Sequence, residues 1–117
     1  MEKTIVIDGK EVRLKSNASC QRRYKMQFRR EVLKDVFKLK KLEKYIKDGK
    51  LEASDEIIAE IDFDIFYDLL WVFAKTANKT IPDPLEWEEQ FERIPIREVF
   101  PVVVEMLTSM LDSVKKN

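Results

Sequence analysis

Histidine is absent from the 117 residues, which removes Ser-His-Asp and Cys-His nucleophile systems together with histidine-ligated zinc. A single cysteine, Cys20, excludes an internal disulfide. At the expected start of a helix it reads as a structural residue rather than a reactive thiol. The only two glycines, Gly9 and Gly49, suit a turn and a helix end. No glycine-rich phosphate loop exists, so nucleotide hydrolysis has no support. There is no run of about 18 apolar residues, and the basic, polar N-terminus lacks the apolar stretch of a signal peptide. The expectation is a cytoplasmic protein that makes no membrane contact and is not an enzyme, with no catalytic residue, cofactor or metal.

What is there suits one small domain, able to bury roughly two thirds of the surface its unfolded chain exposes. Charged residues make up 38% of the chain, a fraction that favours long helices with solvated faces over sheets. The formal net charge of zero hides a strong asymmetry. Residues 1–50 hold 16 Lys+Arg against 7 Asp+Glu, and residues 51–117 hold 6 against 15, so the halves carry about +9 and −9. Such a division implies a basic surface for an acidic partner, or two oppositely charged layers packed together.

Asp8-Gly9 lies between two β-prone runs, Lys3 to Ile7 and Lys10 to Lys15. Both residues of a two-residue hairpin turn need positive φ, which Asp-Gly tolerates, so residues 1–16 are expected to form a β-hairpin lying on a helix or extending a neighbour's sheet. Ser16, Asn17 and Ser19 offer N-caps, and no glycine or proline follows until Gly49. The expectation is one long basic helix over 18–48, breaking near Lys40 if anywhere and closed by Gly49 in a left-handed position. At 100° per residue Tyr24, Phe28, Val32, Leu39, Leu42 and Ile46 share a stripe, with Arg22, Arg23, Arg29, Arg30, Lys34, Lys41 and Lys44 opposite. Met26, Leu33 and Phe37 form a second apolar row inside the basic face, either covered by later helices or exposed as a binding strip.

Ser54 or Asp55 is expected to cap a central apolar helix over 54–77, whose acids Glu60, Asp64 and Asp68 recur along one row able to meet the basic helix or a basic partner. Asp83-Pro84-Leu85-Glu86 carries an N-cap, a first-turn proline and a capping-box glutamate, predicting a short helix over 83–94. Residues 96–116 carry apolar side chains at helical spacing through Val114, with Pro101 kinking the helix or sitting in its first turn. The fold class is thus α+β and mostly α: a hairpin followed by a compact bundle of about four helices in a single domain, 1–117.

Few motifs carry chemistry. Asp62 and Asp64 project about 200° apart on a helix and find no further ligands, which argues against a hard-cation site. Glu86, Glu88, Glu89 and Glu92 read as a solvated face rather than acid/base machinery. The basic face could neutralise phosphates, but Tyr24 and Phe28 project away from it, leaving Phe37 as the sole stacking candidate. Nucleic acid is therefore the weaker partner class.

The order of pieces carries a resemblance: the strand end Ile7-Asp8-Gly9-Lys10; a helix start with Arg22-Arg23-Tyr24-Lys25, Phe28, Arg30-Glu31 and Asp35; then Leu69-Leu70-Trp71-Val72-Phe73-Ala74-Lys75; Pro84-Leu85-Glu86-Trp87 with Phe91; and Ile94-Pro95-Ile96. The chain resembles the tail assembly chaperones of long-tailed bacteriophages and prophages of Gram-positive hosts over nearly its whole length. That resemblance implies a non-enzymatic chaperone in the cytoplasm of the bacterial host. It would bind the tape measure protein during tail morphogenesis, with the tail tube protein as a further partner, and be absent from the finished virion. In that family translation often slips back one frame near the gene's end, and the ending Lys115-Lys116-Asn117 is compatible with an adenine-rich template. The helical projection, not the resemblance, nominates the partner-binding residues Met26, Leu33 and Phe37, with Arg23, Arg30 and Lys34 steering an acidic or amphipathic segment. The opposite charges of the two halves and an unpaired hairpin edge also permit head-to-tail homo-oligomers. The alternative function is a nucleic-acid-binding or regulatory phage protein using the basic face.

Overall fold

A computed structural model describes the backbone of residues 1–115 and the side chains of residues 1–112. The side chains of Val114 and Lys115, and the final residues Lys116 and Asn117, lie outside what it describes, so the ending compatible with slippage does too. The described chain is α+β and 56% helical, with an N-terminal hairpin followed by six helices, four of them long.

Strands β1 (Glu2–Ile7) and β2 (Lys10–Lys15) pair antiparallel with Ile7 opposite Lys10. Asp8 and Gly9 both take positive φ, 53° and 77°, as the two-residue turn requires. Ile7, Val12 and Leu14 turn inward and β2 lies on the central helix, so the hairpin finds the support it needs within the chain.

The expected helix over 18–48 is instead four pieces. Helix α1 (Ser19–Phe28) ends at Arg29, which adopts the left-handed conformation (φ 59°) and donates its N–H to the Lys25 carbonyl. Glu31 is extended, and α2 (Val32–Lys40) begins after it. The anticipated break near Lys40 does occur: a 3-10 turn at Glu43–Tyr45 leads into β3 (Ile46–Lys47) and β4 (Lys50–Leu51). Asp48 and Gly49 (φ 52° and 77°) therefore turn a second, smaller hairpin, and Gly49 is not a helix cap. The same Asp-Gly-Lys follows Ile7 and Lys47, so the turn signal was present twice. A left-handed arginine costs roughly 1 kcal/mol or more and has no such signal. It persists because the residues around it are held from elsewhere in the fold.

The expected helix over 54–77 is likewise two. Short α3 (Asp55–Ile58) is capped by the Ser54 hydroxyl, which accepts the Ile57 N–H at 3.3 Å. Helix α4 (Phe63–Ala77) restarts where Asp62 leaves helical geometry and its carboxylate accepts the Ile65 N–H at 3.3 Å. Phe66, Leu69, Leu70, Val72 and Phe73 are fully buried, so α4 is the core helix, packed against β2, α1 and the last helix. Helix α5 (Pro84–Glu88) is shorter than the expected 83–94, and the Asp83 side chain accepts no capping bond. Trp87 and Phe91 are nonetheless buried against one another, edge to face at 5.2 Å. Helix α6 (Ile96–Lys115) runs through Pro101, the sixth residue of the helix. The proline ring nitrogen leaves the Arg97 carbonyl without its usual helical donor.

Phases shifted by the break at Arg29 leave the apolar choice almost intact. Tyr24, Val32, Leu39 and Leu42 are buried, and Phe28 and Ile46 pack partly buried against the same core. No described helix is long and apolar enough to cross a membrane.

Candidate functional site

The second apolar row reaches solvent: Met26 is 70% exposed, Phe37 61% and Leu33 40%. Met1, Val6 and Leu85 are exposed as well, so what sets Leu33 and Phe37 apart is that they are neighbours on one helical face. The break at Arg29 divides the row. Leu33 and Phe37 stand four residues apart on one face of α2, with exposed Lys34 and Lys38 following each and Lys41 one turn beyond. Met26 belongs to α1, on the rim of a groove of about 450 Å³ between α1 and α4 that Arg23 also lines.

Arg30 is not part of the open basic face. Its guanidinium donates to the Tyr24 hydroxyl at 2.9 Å and to the Asp68 carboxylate, and its Nε lies 3.3 Å from the Asp35 carboxylate. The Tyr24 hydroxyl in turn donates to Asp35 at 2.8 Å. The Arg30 guanidinium also stands 5.5 Å from the Tyr24 ring centre and 6.0 Å from that of Phe28, within cation–π range. This cluster pins the left-handed turn between α1 and α2 onto α4, which is why Arg29 tolerates its conformation.

Burial sets the electrostatics of the cluster. It pushes the Asp68 carboxyl up to about 6, with Arg30 pulling it down and Asp64 and Glu88 adding to the rise. Burial and then the bond to Asp35 hold the Tyr24 phenol well above its ordinary value. For Arg30 burial works against the charge, and attraction to Tyr24 and Asp68 more than offsets it. One guanidinium is shared among two carboxylates and a phenol, so it stays firmly protonated while Asp68 is left partly uncompensated.

No protein-family model, curated protein or solved structure matches this chain.

Of the six residues nominated from sequence, Leu33, Phe37 and Lys34 thus share one surface on α2. Met26 and Arg23 share another between α1 and α4, and Arg30 is a half-buried tie to α4. The row Glu60, Asp64, Asp68 left room for an ionic meeting with the first helix, and Asp68 makes it. The groove walls contributed by Trp71, Lys75 and Asp83 had no local signal, because they come from segments about 45 to 60 positions away and meet α1 only through packing.

Proposed function

We propose that the chain is a bacteriophage tail assembly chaperone that holds the tape measure protein during tail morphogenesis in the host cytoplasm, without catalysing a reaction and without remaining in the finished particle. The observation that carries this reading is the solvent-facing pair Leu33 and Phe37, set among lysines on α2. The ordered motifs from Ile7 to Ile96 supply the family expectation.

A tape measure protein is a very long helical chain whose apolar stripes aggregate until the tail tube encloses them. A helix presenting Leu and Phe at i, i+4 offers those stripes a complementary ridge, and the flanking lysines steer acidic or amphipathic segments toward it. Covering the exposed remainder of both side chains contributes about 1 to 2 kcal/mol each. That is enough for repeated, reversible capture along a long client.

Co-expression with the tape measure protein of the same locus tests the proposal. A soluble complex is expected, lost in Phe37→Asp and Leu33→Asp variants that keep their fold. Equal aggregation of the tape measure protein with and without the chain refutes it. The second reading, nucleic-acid binding, rests on the same face, since Phe37 is an exposed ring beside Lys34, Lys38 and Lys41. It requires binding to an oligonucleotide that falls steeply with salt and is abolished by charge reversal at Lys34 and Lys38.

A further inference from the structure

The first hairpin keeps one edge open. Met1 and Ser16 exchange both backbone bonds, the Met1 amine donating to the Ser16 carbonyl at 3.0 Å and the Ser16 N–H to the Met1 carbonyl at 2.9 Å. Hydrogen-bonded pairs alternate along an antiparallel ladder, so Lys3, Ile5 and Ile7 direct their backbone groups to β2. The N–H and C=O groups of Glu2, Thr4 and Val6 therefore point away from β2, and no described residue bonds to them. The register has no bulge and β1 no proline, so the edge lacks the usual guards against strand addition. Beside this strand lies a groove of about 780 Å³. Pro101, Val104, Glu105 and Asp112, on one face of α6, line it together with Ile46 of the second hairpin and Met1. Lys3 reaches Glu105 at 2.7 Å, so the face of β1 that carries Lys3 and Ile5 is the one turned to α6. Glu43 is a third acid of the lining. Lysines stand near Glu105 and, at 4.0 Å, near Glu43, whereas among the described residues Asp112 has no ion pair.

We propose that β1 takes an extended segment of a partner protein as a third strand, with apolar and basic side chains facing the groove. The outward groups of Glu2, Thr4 and Val6 supply the ladder, which gives affinity for an extended backbone. Side chains directly opposite across a ladder share a face, so alternate residues of the added strand turn toward α6 with Lys3 and Ile5. There Pro101, Val104 and Ile46 offer apolar contact, and Asp112 with Glu43 favours a lysine or arginine. A helix fits less well, because its backbone groups are bonded internally and leave the edge unpaired. The site lies on the hairpin and α6, apart from Leu33 and Phe37 on α2, and its existence does not depend on what that pair captures.

The test is a titration of the 15N-labelled chain with an end-blocked peptide, Thr-Val-Thr-Lys-Thr-Val-Thr, whose Val and Lys side chains share one face when extended. The amide resonances of Glu2, Thr4 and Val6 are expected to shift and their hydrogen exchange to slow, whereas Lys3 and Ile5 are protected before any peptide is added. A peptide with Glu in place of Lys is expected to bind about fivefold more weakly. Thr4→Pro removes an outward N–H, leaves the bonds between β1 and β2 in place and is expected to lose the response. If that variant fails to fold, N-methylation of the peptide amides that would face β1 makes the same test on the parent chain, with loss of binding expected. The proposal is overturned if the Lys peptide causes no shift at several millimolar, if Thr4→Pro or the N-methylated peptide binds as the parent pair does, if the Glu peptide binds equally well, or if the shifts fall on α2 instead. Protection of the Glu2, Thr4 and Val6 amides that rises with chain concentration alone would place a second copy on the edge and overturns it too.

Discussion

Replacing Arg30 with methionine removes the one cation between two largely buried carboxylates while keeping much of the aliphatic stem. The side chains of Asp35 and Asp68 are 12% and 17% exposed, and that of Arg30 is 36% exposed. Breaking a fully buried ion pair costs roughly 3 to 5 kcal/mol. Partial exposure of the guanidinium admits screening, which brings the expected loss at neutral pH to about 2 kcal/mol. The loss also depends on pH. The folded-state value of Asp68, about 6, lies above the ordinary carboxylate value, so the folded state holds the extra proton. Stability from this group is fully present below about pH 4 and is lost as pH rises through about 6. Without Arg30 that value climbs further, so Arg30→Met should cost more at about pH 7.5 than at about pH 5. Urea unfolding followed by fluorescence of Trp71 and Trp87 at both pH values measures the difference. Asp68→Asn, which removes the titration but keeps the shape, should flatten the profile between them. A loss under about 0.5 kcal/mol, the same loss at both pH values, or parallel profiles for parent and Asp68→Asn would refute the assignment.

Asp62→Ala removes the cap of α4 and is expected to lower stability by about 1 kcal/mol, seen as a lower thermal midpoint. Phe66→Ala, at a fully buried position on the core helix, should cost roughly 3 to 5 kcal/mol in urea unfolding. Gly49→Val places a β-branched residue at φ 77° and should cost about 1 kcal/mol or more, although the site has open space around it. Phe37→Asp should leave the free energy of urea unfolding within about 0.5 kcal/mol of the parent while abolishing partner capture. A large loss of stability in that variant would mean Phe37 is a core residue.

Apolar periodicity and turn chemistry made the hairpin, the central burial of α4 and the inward stripe from Tyr24 to Leu42 legible from residues alone. They act between neighbours a few positions apart, and nothing distant reverses them. Element boundaries were less legible. Asp62 reads equally well inside a helix or at its start, and only the geometry of α3 against α4 makes it a cap. The second Asp-Gly-Lys was readable as a turn, but the helical period around it masked the signal. Of the candidate surface, helical spacing put Leu33 and Phe37 in one row beside Lys34 but left open whether later helices would cover it, and only the packed fold leaves both side chains in solvent.

The sequence by itself determined the main core stripes, how the first turn would be made and which half would be basic, because apolar periodicity and turn preferences are carried by each residue and its near neighbours. Tertiary structure alone decided where the long basic segment would bend, that Arg30 would turn inward while Phe37 stayed out, and that Arg23 would share a groove with Trp71 and Lys75. Those outcomes rest on pairs far apart in the chain, such as Arg30 with Asp68. Such pairs exist only after the helices have packed, and no local pattern encodes them.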